Sequence, residues 1–217
     1  MELKIKSWDN VTLSTYNKIE KIMLSSDDEI DKNIQIISLL ADADEDEIAD
    51  LSLSDFQRLI AESSFLATPP KVTQLISTKY ILNGVEYDLQ INLELMTAKQ
   101  YMDFKQYSVD YARNRKYLIA CFLLPKGVKK YSDGYDVGEV AKAVEEHMSM
   151  VEIMRICNFF LQRYRALTLG ILSLQVKKMK REMKREKDME KRKEMMKAVG
   201  ITQTYLNSLK NGDGSIL

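Results

Sequence analysis

Proline and glycine are scarce: three prolines, at Pro69, Pro70 and Pro125, and eight glycines in 217 residues. After Pro125 no proline interrupts the chain, so nothing of that kind ends a helix there. Histidine is rarer still. Any Ser-His-Asp or Cys-His relay would need His147, which lies on a helical pattern between Glu146 and Met148 with no glycine-rich nucleophile turn elsewhere. The two cysteines, Cys121 and Cys157, sit among apolar residues; they are too few for a zinc spacing and read as small core residues. A phosphate-cradling glycine loop is missing as well. The acidic run Asp42 to Asp50 lacks the glycine an EF-hand loop requires, and the helix dipole explains carboxylates in first turns. The expectation is a chain without catalytic activity, cofactor or metal. Apolar runs are short too. Glu152, Arg155, Arg163 and Arg165 interrupt the best membrane-span candidate, and Met1-Glu-Leu-Lys-Ile-Lys has no signal-peptide run, so a cytoplasmic protein is expected.

What is abundant is charge, balanced to a formal net of zero but unevenly placed. Asp27, Asp28, Glu29 and Asp31, then Asp42, Asp44, Glu45, Asp46, Glu47 and Asp50, make the N-terminal third acidic. Lys177, Lys178, Lys180, Arg181, Lys184 and Arg185 begin a basic arm. Such segregation favours self-association or a charged partner. Nucleic acid fits less well, because Glu182, Glu186, Glu190 and Glu194 recur every four residues and no aromatic side chain is interleaved for stacking.

The stretch from Ser149 to Val199 organises the chain. Its first half, Met150 to Leu174, is apolar enough to be buried, whereas from Lys177 to Lys197 the only apolar residues are methionines, Met179, Met183, Met189, Met195 and Met196, among the charges. One helix of roughly 75 Å is allowed at ~1.5 Å per residue. Leu172, Val176, Met179 and Met183 follow a 4-3-4 spacing, a short stretch of coiled-coil seam. Methionine is the adaptable apolar residue of binding surfaces, so Met179, Met183, Arg185, Met189, Arg192, Met195 and Met196 are the expected partner-binding residues.

In chain order, Leu3, Ile5 and Trp8 suggest a short strand or extended lead-in. Thr12 should cap a helix through Leu24, and Ser26 or Asp27 a second with Ile30, Ile34, Ile37 and Leu40 inward. A short helix follows near Glu45, then one capped by Ser54 with Phe56, Leu59, Ile60 and Phe65 inward, stopped at Thr68-Pro69-Pro70. Asn83-Gly84 between alternating runs marks a type I′ hairpin, expected to pack on helices or pair with residues 3–8. Thr97-Ala-Lys-Gln is a capping box opening a helix that offers Tyr101, Met102 and Phe104 for packing. A helix over 113–124 is stopped by Pro125; a loop, a helix over about 137–148 and the Ser149-capped long helix follow. Past Gly200, a short turn with Ile201, Tyr205, Leu206 and Leu209 leads into a disordered tail. The expected architecture is α+β and predominantly helical: an acidic helical module (1–68), a hairpin plus helical core (69–176), and a basic helical arm with tail (177–217), the long C-terminal helix projecting.

The run from Ile36 through Asp42-Ala-Asp-Glu-Asp-Glu-Ile to Phe56-Gln-Arg-Leu, then Phe65-Leu-Ala-Thr-Pro-Pro, the Tyr80-Ile-Leu-Asn-Gly-Val-Glu-Tyr hairpin and Leu95-Met-Thr-Ala-Lys-Gln-Tyr-Met-Asp resembles bacteriophage proteins related to tail assembly chaperones. The likeness covers roughly residues 8–108 and consists of helix order and hydrophobic placement. It implies a non-enzymatic role in virion morphogenesis: binding the tape measure protein, keeping its apolar helices from aggregating and recruiting tail-tube subunits in the host cytoplasm. The long Lys/Arg/Glu/Met arm departs from that pattern. It leaves open a structural virion protein contacting portal or connector proteins at the head–tail junction, with a nucleic-acid-binding accessory factor as a third reading.

Overall fold

The computed structural model describes residues 3–72, 76–128, 131 and 135–211. They form two compact units, 1–157 and 158–217. The chain is α+β and mostly helical, with one small sheet.

Unit 1 begins with an extended lead-in rather than a strand: Lys6 N–H donates to the Leu40 carbonyl (3.0 Å) and Leu3 is buried. Four helices follow: α1 (Leu13–Met23), α2 (Glu29–Ala41), α3 (Glu45–Ala49) and α4 (Leu53–Ser63). Thr12 caps α1, its hydroxyl accepting from Thr15 N–H, as expected. The caps of α2 and α4 fall elsewhere, on Asp28 and Ser52, because those side chains reach the N–H two and three residues on. Helix α2 ends with Asp42 at φ 52°, the left-handed conformation that closes many helices. Ile37 joins Leu3, Ile48 and Leu59 on one side of α2, while Ile36 and Leu40 join Val11 and Ile19 on the other. Being buried on two sides, α2 uses a wider stripe than the expected one. Ile30, by contrast, is 61% exposed: it stands in the first turn, ahead of both clusters.

The hairpin forms where expected, β1 (Lys79–Leu82) against β2 (Val85–Leu89), with Asn83 and Gly84 both at positive φ. Its third strand was not foreseen. Helix α6 spans Tyr111–Ala120, and Leu123–Pro125 is β3, paired antiparallel with β2 in the order β1-β2-β3. The expected helix to Leu124 is thus corrected. Cys121, Phe122, Leu123 and Leu124 are all buried, and a run buried on every side has no period to separate helix from strand. A third strand also supplies what an isolated hairpin lacks.

The capping box opens α5 (Ala98–Ser108) with both reciprocal bonds present. Phe104 packs inward against Phe122, their ring centroids 5.2 Å apart, while Tyr101 and Met102 stay exposed. Helix α7 (Val137–His147) packs against α6 and α1. Asn17 donates to the Glu145 carboxylate (3.1 Å), which also receives Lys116, so residues 1–68 are tied into unit 1. Helix α8 (Met150–Arg185) starts at Ser149, whose hydroxyl accepts from Glu152 N–H.

Unit 2 contains residues 158–185 of α8 together with α9 (Met189–Asn211). The expected single helix to Val199 is broken at Glu186–Asp188. The Glu186 carboxylate accepts from Lys187 and Asp188 N–H (2.9 and 3.0 Å), and Asp188 caps α9 by accepting from Glu190 and Lys191 N–H (2.9 and 3.3 Å). The chain then doubles back: Arg165 donates to the Lys210 carbonyl (3.4 Å) and Lys180 to the Gln203 amide oxygen (3.5 Å), so α8 and α9 run antiparallel. The expected short turn after Gly200 is instead continuous α9. The tail from 212 lies outside the described residues, as do parts of the loop expected after Pro125, and the Leu209 side chain is likewise not described.

Candidate functional site

The 4-3-4 spacing of α8 is satisfied within unit 2. Val176 is buried and Leu172, Met179 and Met183 are half-buried. On α9 the same spacing recurs as Met195, Val199, Thr202 and Leu206, with Val199 and Leu206 buried. That is the spacing a two-helix hairpin seam uses. Of the seven expected partner-binding residues, Met179, Met183 and Met195 therefore lie at seam spacing. Arg185, Met189, Arg192 and Met196 face solvent, with Met189 69% and Met196 58% exposed. Unit 2 carries 14 Lys and Arg against six Asp and Glu, a net +8. A second apolar row, Leu167, Ile171 and Leu174, is exposed on α8 at helical spacing.

Unit 1 holds the opposite surface. Residues 1–68 carry 15 acidic against six basic residues, a net −9. Within them α2, α3 and α4 leave an open apolar groove of about 260 Å³, lined by Ile30, Ile34, Ile48, Leu51, Leu53 and Phe56 among others. Ile48 is buried at its floor, while Leu53 is 72% exposed. Short helices cause this opening. α3 has only five residues, too few to present a face long enough to close over the first turns of α2 and α4. Asp31, Asp46, Glu47 and Asp50, next in sequence to or within two residues of the lining residues, are exposed, and among the described residues none has a cationic partner. Sequence reasoning missed the groove because Ile30 read as an ordinary member of a buried stripe, while Leu53 stood ahead of the expected Ser54 cap and was assigned to no face.

The groups with chemical potential lie elsewhere and are held in the core. Burial pushes the Cys121 and Cys157 thiols up to about 12, which keeps them protonated at neutral pH. Tyr135 donates to the Ala120 and Leu123 carbonyls (2.5 and 2.7 Å), and Tyr131 to the Asp103 carboxylate (2.7 Å); burial raises both phenols. These bonds close the polar ends of α6 and β3 around the core. His147 is partly exposed, its Nε2 3.8 Å from the Glu146 carboxylate. No helix of the described residues is long and apolar enough to cross a membrane.

No protein-family model, no curated protein and no solved structure matches this chain.

Proposed function

We propose that the chain is a non-enzymatic assembly protein that works through protein–protein contacts, in the manner of the tail assembly chaperones that its residues 8–108 resemble. The observation that carries this reading is the exposure of large apolar side chains on strongly charged helices. Met189 and Met196 stand among the cations of unit 2, and Ile30 and Leu53 among the carboxylates of unit 1. Exposing such residues is costly unless something covers them, and methionine suits a partner whose surface is not rigidly defined. A basic hairpin with exposed thioethers fits an amphipathic, acidic-rimmed helix, and a tape measure protein would present many helices. Long cationic side chains also steer such a partner at low salt.

The test is co-purification from infected cells followed by mass spectrometry of both the complex and purified particles. A chaperone binds the tape measure protein in the lysate and is missing from finished particles. Stoichiometric retention in particles would replace this reading with the structural head–tail alternative. Replacing Arg185, Met189, Arg192 and Met196 by Ser should abolish capture without changing the circular dichroism spectrum. Undiminished capture would remove unit 2 from the role. Salt-dependent DNA binding of similar strength would favour the accessory-factor reading instead.

A further inference from the structure

The exposed surfaces of the two units match each other in chemistry. On unit 1 the groove is lined by apolar side chains, and Asp31, Asp46, Glu47 and Asp50, next in sequence to or within two residues of lining residues, are exposed. On unit 2 Met189 and Met196 are seven residues apart, which places them on one face of α9 about 10 Å apart along its axis. Lys193 and Lys197 stand on that same side, both exposed. We propose that these surfaces are the two halves of a homotypic contact, in which the Met189–Met196 face of one copy seats in the Ile30–Phe56 groove of a second copy.

Charge decides both the occupant and the arrangement. Net −9 on residues 1–68 and +8 on 158–217 attract each other across copies, whereas groove against groove or hairpin against hairpin brings like charges together. Like surfaces therefore do not pair, and every contact joins the groove of one copy to the hairpin of another. Such contacts close reciprocally as a dimer, close as a larger ring, or extend as a filament. The thioethers conform to a groove whose walls are side chains of three short helices, and the exposed carboxylates of the acidic module attract the lysines that flank them. The contact uses the same Met189–Met196 face as the proposed partner and so competes with it, but it needs no molecule other than the chain itself and is tested on the purified chain alone.

Sedimentation velocity on the full chain, from about 1 to about 200 µM at low salt, tests it. The expected result is a mass that rises with concentration above the 25.1 kDa of one copy. Raising salt from about 50 to about 500 mM should weaken association at least about tenfold, because the paired charges are exposed. Two variants separate the halves. Ile30→Asp with Leu53→Asp blocks the groove; both positions lie in first helical turns, where aspartate is favoured and folding is retained. Met189→Glu with Met196→Glu blocks the hairpin. Each variant alone should be monomeric with an unchanged dichroism spectrum. Mixed one to one, they retain one intact groove and one intact hairpin, and should form a dimer that grows no further. A wild-type monomer at the highest concentration, undisturbed association in either variant, or a mixture of two folded variants that stays monomeric would overturn the proposal.

Discussion

Gln100 offers the sharpest test of how unit 1 is held together. Its side chain is fully buried, yet every polar atom has a partner: Nε2 donates to the Gln90 amide oxygen (2.9 Å) and to the Cys121 carbonyl (2.7 Å), and Oε1 accepts from Thr97 N–H (3.3 Å). One residue thereby joins the start of α5, the chain after β2 and the end of α6. Gln100→Met keeps the length and removes all three bonds, stranding the Thr97 N–H and the Cys121 carbonyl. A stranded buried group costs about 1–3 kcal/mol, and the thioether's better transfer returns part of that, so a net loss of about 2–4 kcal/mol is expected. Gln100→Glu is the discriminating partner. A buried carboxylate cannot donate to the Cys121 carbonyl, so the loss at neutral pH should exceed that of the methionine variant. Burial and the facing carbonyl raise the carboxyl's pKa in the folded state, so its neutral form is favoured there. Protonation restores one donor, and the destabilisation relative to wild type should shrink as pH falls towards 5. Urea unfolding followed by far-ultraviolet dichroism reads both variants. A methionine variant within about 0.5 kcal/mol of wild type, or a glutamate variant indifferent to pH, would refute the account.

Three further outcomes follow from single features. Gly84→Ala places a side chain at φ +75° in the hairpin turn and should cost about 1 kcal/mol, whereas Asn83→Gly should be nearly neutral; urea midpoints distinguish them. Asp188→Ala removes the cap of α9, worth about 1 kcal/mol, and hydrogen exchange should quicken at 189–192 while unit 1 is unchanged. The Cys121 and Cys157 thiols, raised by burial from 9.0 to about 12, favour the folded state while protonated. Their contribution is whole below pH 9 and is lost as pH rises towards 12, so thermal midpoints should be level up to about pH 9 and fall beyond it, with native thiols slow to react with Ellman's reagent below that pH.

Local signals were legible where one residue type has one physical job. Thr12, the Thr97–Gln100 box, Asn83-Gly84 and Ser149 all act in the structure as their chemistry requires, because caps and tight turns are settled within four residues. Three features were not legible, each for a different reason. Leu123–Pro125 pairs with a strand more than thirty residues earlier, and its uniformly apolar run carries no period of its own. The break after Arg185 contains neither proline nor glycine; its only sign is Asp188, an N-cap residue set in a lysine-rich run whose every neighbour favours helix. The apolar groove needs three helices to be positioned before Ile30 and Leu53 can be seen to stand in the open.

The turn at Asp188 also changes what the methionines of unit 2 can do. In one straight helix all five between Met179 and Met196 would meet solvent, and their substitution would act only through a partner. In the hairpin, Met179, Met183 and Met195 are half-buried at seam spacing, the place from which side chains hold α8 and α9 together, and Met189 and Met196 are the methionines left exposed. A two-helix hairpin is marginal in water, and replacing a half-buried methionine by serine removes about 1–2 kcal/mol. Met179→Ser with Met183→Ser should therefore speed amide exchange throughout 172–206 and lose self-association as a consequence. Met189→Ser with Met196→Ser should weaken association by a similar factor while exchange stays at the wild-type rate. Exchange rates that respond alike to the two pairs would mean that the seam is not formed by these residues, and the division of labour along α8 and α9 would have to be abandoned.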